Sequence, residues 1–391
     1  MYDFEVMADR SHIGNMKTEM TPEVLAEKGI TSFAAAEMDF KTAPSVIEAV
    51  KSMADRGIYG FTVLTEEYRQ RIKWWMREMR NWEIGDDWIL PVMGTIFSVA
   101  TAIRMTTDPG EGIIVQTPVY HRYEQAAERL GRKTVYNPLK IVEGCYEMDF
   151  EDLEAKMAEP RNRLFILCNA HNPIGRVWSK EDLERVAELA SRYGVIVLSD
   201  EIFGEMTFDG HRVIPYGSLE AAKAHGITVI SLGKAFNFTG VNHADVIISD
   251  EKLRQRYMKQ RNADHFGSIG PFEYASVLGA YCEEGKQWFE KVRDYIQGNA
   301  HLVKNYIEKE IPKARVFPIE GTSVCWIDWS FLGLEGEALE DFFLKEALFA
   351  VESGQVYGPA CGIFTRMNLS SPRSQVRAAL ERVKGAVARY E

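Results

Sequence analysis

The chain has 391 residues, of which 46% are hydrophobic, and its formal net charge is −11. This length is typical of two domains, and the hydrophobic content is sufficient for a sizeable core. The negative balance argues against binding to nucleic acid or to an anionic membrane surface, because both require a basic face. A small anionic ligand stays possible, since a few local cations can hold one.

The cysteines and histidines show no metal-ligand spacing, so we expect no metal. The cysteines are scattered and include no C-x-x-C pair, which is typical of structural thiols in a reducing compartment. The N-terminus has no apolar signal core, and no run of 18 apolar residues occurs in the sequence. We therefore expect a cytoplasmic protein without a membrane partner.

Short apolar runs in the middle of the chain predict buried strands of a parallel sheet. They are rich in β-branched residues and flanked by turn residues, and they span 112–115, 164–168, 195–198, 228–230 and 246–248. Between two of them, Ser179 and Asp182 predict a capping box and Gly194 a helix end. We expect residues 46–275 to form a large α/β domain with a mostly parallel sheet.

The pattern changes from about residue 275. A long helical stretch, Lys286 to Glu310, precedes a strand-like segment at 322–326, a further helix, a short strand and a last helix that opens with Ser371 and Pro372. We expect residues 276–391 to form a smaller α+β domain, which is completed by the N-terminal segment 1–45.

Three polar residues follow three of the predicted strands. Asn172, Asp200 and Lys234 come after the runs at 164–168, 195–198 and 228–230, at spacings typical of βαβ units. Because ligands of open α/β sheets bind beyond the carboxyl ends of the strands, we expect these side chains to share one site. Each residue alone has an ordinary alternative, a helix cap or a surface charge, but the three together favour a site.

The chemistry of pyridoxal phosphate (PLP) requires this combination of groups. A lysine amine binds the cofactor aldehyde covalently, a carboxylate keeps the pyridine nitrogen protonated, and an amide donates to the ring oxygen. Gly94 and Thr95 open a predicted helix whose N–H groups suit a phosphate, and Ser231 adds a hydroxyl. Tyr120 follows the first predicted strand, where its ring could stack on the cofactor.

These motifs resemble a known enzyme family. Asn172-Pro173-x-Gly175, Ser199-Asp200-Glu201 and Ser231-x-x-Lys234 look like the signature of fold-type I PLP enzymes of the aminotransferase class I/II superfamily. Other segments resemble its C–S lyase branch, which holds the cystathionine β-lyase-like proteins, cystalysin and the maltose-regulon modulator; they lie at 36–40, 57–62, 116–120, 234–237, 366–368 and 371–374. The similarity runs from about residue 3 to 385. It implies a homodimer with the active site near the subunit interface.

The resemblance implies a role for each candidate residue. Lys234 corresponds to the lysine that holds PLP and moves the substrate proton, and Arg366 to the arginine that binds the substrate α-carboxylate. The other implied cofactor contacts are Asp200 at the pyridine nitrogen, Asn172 at the ring oxygen, Tyr120 on the ring face, and Gly94, Thr95 and Ser231 at the phosphate.

The chain also departs from the family pattern. Phe203 replaces a tyrosine or histidine that many relatives have after the Asp-Glu pair, so Asn172 is expected to be the main side-chain donor to the ring oxygen. Phe61 replaces a tyrosine that reaches the phosphate of the neighbouring subunit. Gly233 and Ala235 replace the serine and threonine that commonly flank the lysine. These changes affect the expected reaction type more than cofactor binding.

The function that this resemblance implies is C–S β-lysis of an amino acid, an elimination that yields pyruvate, ammonia and a thiol. An aminotransferase is the main alternative, because it uses the same residues but passes the amino group to a 2-oxo acid. A racemase side reaction needs only the return of a proton to Cα. The maltose-regulon relative also restrains a transcription factor, so a regulatory protein that keeps a PLP site is a further alternative.

Overall fold

The computed structural model describes residues 2–264, 266 and 268–390. Its strands in chain order are β1 (Ile89–Val92), β2 (Gly112–Val115), β3 (Lys133–Tyr136), β4 (Lys140–Val142), β5 (Cys145–Glu147), β6 (Asn162–Cys168), β7 (Ile196–Asp200), β8 (Gly226–Ile230), β9 (Ala244–Ile247), β10 (Arg315–Val316), β11 (Val324–Asp328), β12 (Glu352–Ser353) and β13 (Phe364–Asn368). The five apolar runs of the sequence correspond to β2, β6, β7, β8 and β9.

The helices pack on both sides of the larger sheet and against the smaller one. In chain order they are α1 (Met16–Glu19), α2 (Glu23–Ala26), α3 (Pro44–Asp55), α4 (Glu66–Arg80), α5 (Thr95–Thr106), α6 (Arg122–Arg129), α7 (Phe150–Ala158), α8 (Lys180–Tyr193), α9 (Leu232–Ala235), α10 (Glu251–Ala263), α11 (Pro271–Ala280), α12 (Glu283–Glu310), α13 (Glu337–Ala347) and α14 (Arg373–Tyr390).

The central sheet has the order β1-β9-β8-β7-β6-β2-β3. The pairs from β8 to β3 are parallel, whereas β9 runs antiparallel to both β8 and β1. The predicted fold class, a mostly parallel α/β sheet, is confirmed. In register, Cys168 pairs with Asp200 and Asp200 with Val229, so the carboxyl ends of β6, β7 and β8 lie at one edge.

Helix α8 shows how local sequence builds the layer beside this sheet. The Ser179 hydroxyl accepts from the Asp182 amide at 3.0 Å, and the Asp182 carboxylate accepts from the Ser179 hydroxyl and amide, which completes the predicted capping box. Gly194 ends the helix with φ of 69°, a conformation that glycine adopts without strain. The apolar stripe of the helix, Leu183, Val186, Ala187 and Ala190, is buried in the same cluster as residues of β6 and β7.

The C-terminal part of the chain forms a second, antiparallel sheet with the order β10-β11-β13-β12. Helix α14 packs on α12 and α13 beside it. The N-terminal segment pairs with this region, because the Phe33 amide donates to Ala350 O and the Asn368 amide donates to Phe33 O, each at 2.8 Å. These bonds agree with the predicted association of the N-terminal segment, while the domain boundaries at 45 and 275 stay a prediction.

The sequence did not predict β1, β3, the β4–β5 hairpin or the two-residue strands β10 and β12. Strand β1 contains Pro91 and lies at the edge of the sheet, where a missing backbone donor is tolerated. Within the described part of the chain, none of the helices combines the length and apolar character that a membrane span needs.

Candidate active site

One cavity of about 790 Å³ opens at the carboxyl ends of β6, β7 and β8. Its walls come from both sheets and from the N-terminal segment. All of the site residues predicted from sequence line it: Gly94, Thr95, Tyr120, Asn172, Asp200, Ser231, Lys234 and Arg366. The structure therefore brings the predicted set together, and the role of each residue remains a prediction.

Lys234 projects from the short helix α9, which begins directly after β8. The Ser231 hydroxyl accepts from the Gly233 amide at 3.0 Å and caps this helix. The Lys234 ammonium donates to Ala36 O at 3.0 Å and lies 5.6 Å from the centre of the Phe203 ring. Burial, assisted by the positive charge of Arg366, lowers the pKa of Lys234 to about 8. The amine is thus much closer to its neutral, nucleophilic form than an exposed lysine is.

Asp200 is buried at the end of β7. The Tyr123 hydroxyl donates to Asp200 Oδ2 at 2.5 Å, and the Ile202 amide donates to Oδ1 at 3.2 Å. Burial raises the pKa of Asp200, while these two donors and the charge of Lys234 oppose the rise. Sequence reasoning did not single out Tyr123. It lies three residues after Tyr120, in the first turn of α6, and the two rings meet edge to face at 5.7 Å.

Asn172 lies in the loop after β6, with its side-chain oxygen directed at Arg366. Asn172 Oδ1 accepts from Arg366 Nη1 at 3.3 Å. The turn continues through Gly175, which has φ of +73° and whose added Cβ would lie 3.3 Å from the carbonyl oxygens of Pro318 and Gly321. The C-terminal region therefore presses on this loop so closely that only glycine fits without strain.

The first turn of α5 forms another wall of the cavity. Gly94 precedes it with φ of +87° and donates its amide to Val92 O at 2.9 Å, so its own N–H is already used. Thr95 and Ile96 are the first helical residues, whose N–H groups have no partner inside a helix, and both line the cavity. The Ser231 hydroxyl donates to His243 O at 2.9 Å, so it would have to turn to donate to a phosphate.

Arg366 extends from β13 into the opposite wall and is buried. Its Nη2 donates to Ala34 O at 2.7 Å and forms an ion pair with the Glu352 carboxylate. Its guanidinium carbon lies 5.3 Å from the centre of the Tyr357 ring. Glu352 and Tyr357 were missed by sequence reasoning, since no local motif connects them to an arginine on the next strand.

A buried ion-pair network supports β7 from behind. Arg80 donates to Glu201 Oε2 at 2.6 Å, to Glu201 O at 2.8 Å and to Glu205 Oε1 at 2.9 Å. Burial raises the pKa of Glu201 to about 7, with Arg80 opposing the rise. Because Glu201 follows Asp200 directly, this network fixes the backbone that carries Asp200.

Two of the positions that depart from the family pattern, Phe203 and Phe61, lie in different surroundings. Phe203 is buried beside Lys234 and offers a ring face rather than a hydroxyl. Phe61 is fully exposed in the loop between α3 and α4. The nearby Tyr59 donates its hydroxyl to Ala54 O at 2.8 Å.

Comparison with known proteins identifies close similarity over the whole chain. A sequence model of the family "aminotransferase class I and II" matches residues 28–383. Cystathionine beta-lyase PatB of Bacillus subtilis is 31% identical over 98% of this chain and 100% of its own. Protein MalY of Escherichia coli is 26% identical over 99% of each chain. The structure of cystalysin from Treponema denticola, which contains PLP, matches with a TM-score of 0.95 and 30% identity over 100% of both chains.

Proposed function

The chain belongs to the aminotransferase class I and II family, and on this basis we propose that it is a PLP-dependent C–S β-lyase. Its substrate would be an amino acid that carries a sulfur leaving group on Cβ, such as cystathionine. The observation that carries the proposal is the meeting of Lys234, whose pKa is lowered to about 8, with the buried carboxylate of Asp200 in one cavity.

The residues of the cavity fit PLP. The buried Asp200 carboxylate contacts no cation among residues 2–264, 266 and 268–390, which suits a protonated pyridine nitrogen. A lysine of lowered pKa suits covalent attachment to an aldehyde. Asn172 would contact the ring oxygen, Tyr120 the ring face, and Gly94, Thr95 and Ser231 the phosphate. When bound, PLP supplies an electron sink for the charge that develops at the substrate Cα.

The protein groups would then act in sequence. Arg366 binds the α-carboxylate and orients the Cα–H bond. Lys234, freed when the substrate amine takes its place on the aldehyde, would remove the Cα proton with its neutral amine, and Asp200 would keep the pyridine nitrogen protonated. The electron pair of the broken Cα–H bond forms a Cα–Cβ double bond as the Cβ–S bond breaks and the thiolate leaves. Hydrolysis of the remaining three-carbon fragment yields pyruvate and ammonia.

An aminotransferase is the second candidate, favoured by the description of the matching family. We place it after the lyase because PatB, which shares 31% identity over 98% of this chain, is named a cystathionine beta-lyase. In that reaction Lys234 would return the substrate Cα proton to the cofactor, and no thiolate would leave Cβ.

One experiment separates the two functions. Purified protein is incubated with L-cystathionine, with and without 2-oxoglutarate, and both pyruvate and glutamate are measured. Pyruvate without the 2-oxo acid supports the lyase, whereas turnover only with the 2-oxo acid supports the aminotransferase. Lys234→Ala should abolish both activities and the absorbance of the bound cofactor; a spectrum unchanged by this substitution would contradict the proposal.

We also propose that the protein is a cytoplasmic homodimer with a large domain at 46–275 and a small one at 276–391. The loop between α3 and α4 supports a partner surface, because it exposes 78% of Ile58, 104% of Phe61 and 73% of Val63. The cysteines are free, as expected in a reducing compartment. Light scattering of the purified protein tests the dimer.

A further inference from the structure

The Arg366 guanidinium already holds a carboxylate that belongs to the protein. Glu352 on β12 lies directly opposite Arg366 on β13 in the antiparallel pair. The two side chains form an ion pair in which the arginine side chain is 4% exposed and the glutamate 26% exposed. Glu352 lines the cavity together with Arg366.

The remaining contacts of the guanidinium leave little room for a second carboxylate. Nη2 donates to Ala34 O and pairs with Glu352, and Nη1 donates to Asn172 Oδ1. Nε is buried and has no hydrogen-bond partner within residues 2–264, 266 and 268–390. A carboxylate binds a guanidinium best through two parallel N–H groups, so a substrate that takes this geometry competes with Glu352 for Nη2.

Tyr357 keeps Glu352 in this position. Its hydroxyl donates to Glu352 Oε2 at 2.8 Å, and its ring packs on the guanidinium. Tyr357 is itself 1% exposed, whereas the partly exposed Glu352 has a route to solvent at the cavity. Glu352 can therefore be displaced without unfolding the wall to which Tyr357 belongs.

We propose that Glu352 is an internal competitor that occupies Arg366 in the absence of substrate and that the substrate carboxylate displaces. The inference rests on the proposed function only in that Arg366 receives the substrate carboxylate. Only molecules in which Glu352 has released Arg366 can bind a carboxylate ligand, so the apparent affinity is the intrinsic affinity multiplied by the released fraction. If the released fraction is about one-tenth, removal of Glu352 tightens binding about tenfold.

The test measures binding of 3-phenylpropionate to the protein as purified, by ligand-observed NMR titration. This probe has a carboxylate but no amine, so its binding requires no bond to the cofactor and no turnover. The variants are Glu352→Gln, which removes the charge, Glu352→Asp, which keeps the charge but shortens the side chain by one methylene, and Tyr357→Phe, which removes only the hydroxyl. Glu337→Gln, at an exposed position at the start of α13, is the matched control.

We expect Glu352→Gln to tighten binding about tenfold, Glu352→Asp and Tyr357→Phe to tighten it several-fold, and Glu337→Gln to leave it unchanged. Tightening by Glu352→Gln alone would overturn the proposal, because the local negative charge would then explain the effect. Unchanged or weaker binding by both Glu352 variants would also overturn it, since Glu352 would then only position Arg366. Arg366→Met should abolish binding; binding that survives would remove Arg366 as the carboxylate site.

The outcome is independent of the reaction catalysed. If the Glu352 variants tighten binding but cystathionine yields no pyruvate under either condition, the competitor role stands and the proposed function fails. If pyruvate forms without a 2-oxo acid but the variants do not tighten binding, the lyase stands and the competitor role fails.

Discussion

Replacement of Lys234 by methionine should stabilise the cofactor-free protein at neutral pH. Lys234 is held among cavity walls that disfavour its charge, and burial with the nearby Arg366 lowers its pKa to about 8 from an ordinary value of 10.5. In the unfolded chain the same amine is fully protonated at pH 7 and solvated. Folding at pH 7 therefore includes the unfavourable free energy of burying this charge, and Lys234→Met removes that contribution.

The size of the effect follows from the two pKa values. The drop from 10.5 to about 8, at about 1.36 kcal/mol for each pKa unit, corresponds to about 3.4 kcal/mol at pH 7. Water in the open cavity and the lost hydrogen bond to Ala36 O, worth about 1 kcal/mol, reduce the net gain to about 2 kcal/mol. Because the pKa is lowered on folding, the penalty is complete below pH 8 and fades as the pH rises towards 10.5.

The assay is urea unfolding of cofactor-free wild-type and Lys234→Met protein at pH 7 and pH 10. We expect the variant to have the higher free energy of unfolding at pH 7 and to lose most of this advantage at pH 10. Lys252→Met, at an exposed position on α10, is the control and should stay within about 0.5 kcal/mol of wild type at both pH values. A variant that is no more stable at pH 7, or an advantage that is equal at both pH values, would refute the reasoning.

Three further substitutions test the site and its support. Tyr123→Phe removes a donor to the buried Asp200 carboxylate, a bond worth about 1.5–3 kcal/mol, and should lower kcat/KM for cystathionine at least tenfold; an unchanged value would contradict this role. Arg366→Lys loses the two-pronged contact and should raise KM about 100-fold, so an unaltered KM would remove the guanidinium as carboxylate partner. Arg80→Met leaves Glu201 buried without its cation and should lower the free energy of unfolding in urea by about 3–5 kcal/mol; a loss below 1 kcal/mol would contradict that.

The parts of the site that follow strands could be predicted from sequence. A buried strand produces a recognisable apolar run, and the residue after it must lie at the carboxyl edge of the sheet, which is where Asn172, Asp200 and Lys234 are found. The direction of β9 could not be derived from its run alone. Between β8 and β9 the chain forms only the four-residue helix α9, too little for the crossover that a parallel pair usually needs, and the strand returns antiparallel.

Contacts between distant parts of the chain were not predictable in the same way. Glu352 meets Arg366 because β12 and β13 pair in one particular register, and one residue of slippage would turn the glutamate to the other face of the sheet. No residue type or spacing near Arg366 signals that partner. Tyr123 is intermediate: its place three residues after Tyr120 is visible in the sequence, but its bond to Asp200 follows from how α6 packs on the sheet.

The backbone of the N-terminal segment imposes a constraint of its own on how this chain can vary. The carbonyl oxygens of Ala34 and Ala36 accept from two cations of the site, Arg366 and Lys234. Carbonyl oxygens are common to all amino acids, so replacing either alanine leaves the acceptor in place. An insertion or deletion of one residue would instead move both acceptors together. For this segment the site depends on the count of residues rather than on their identity.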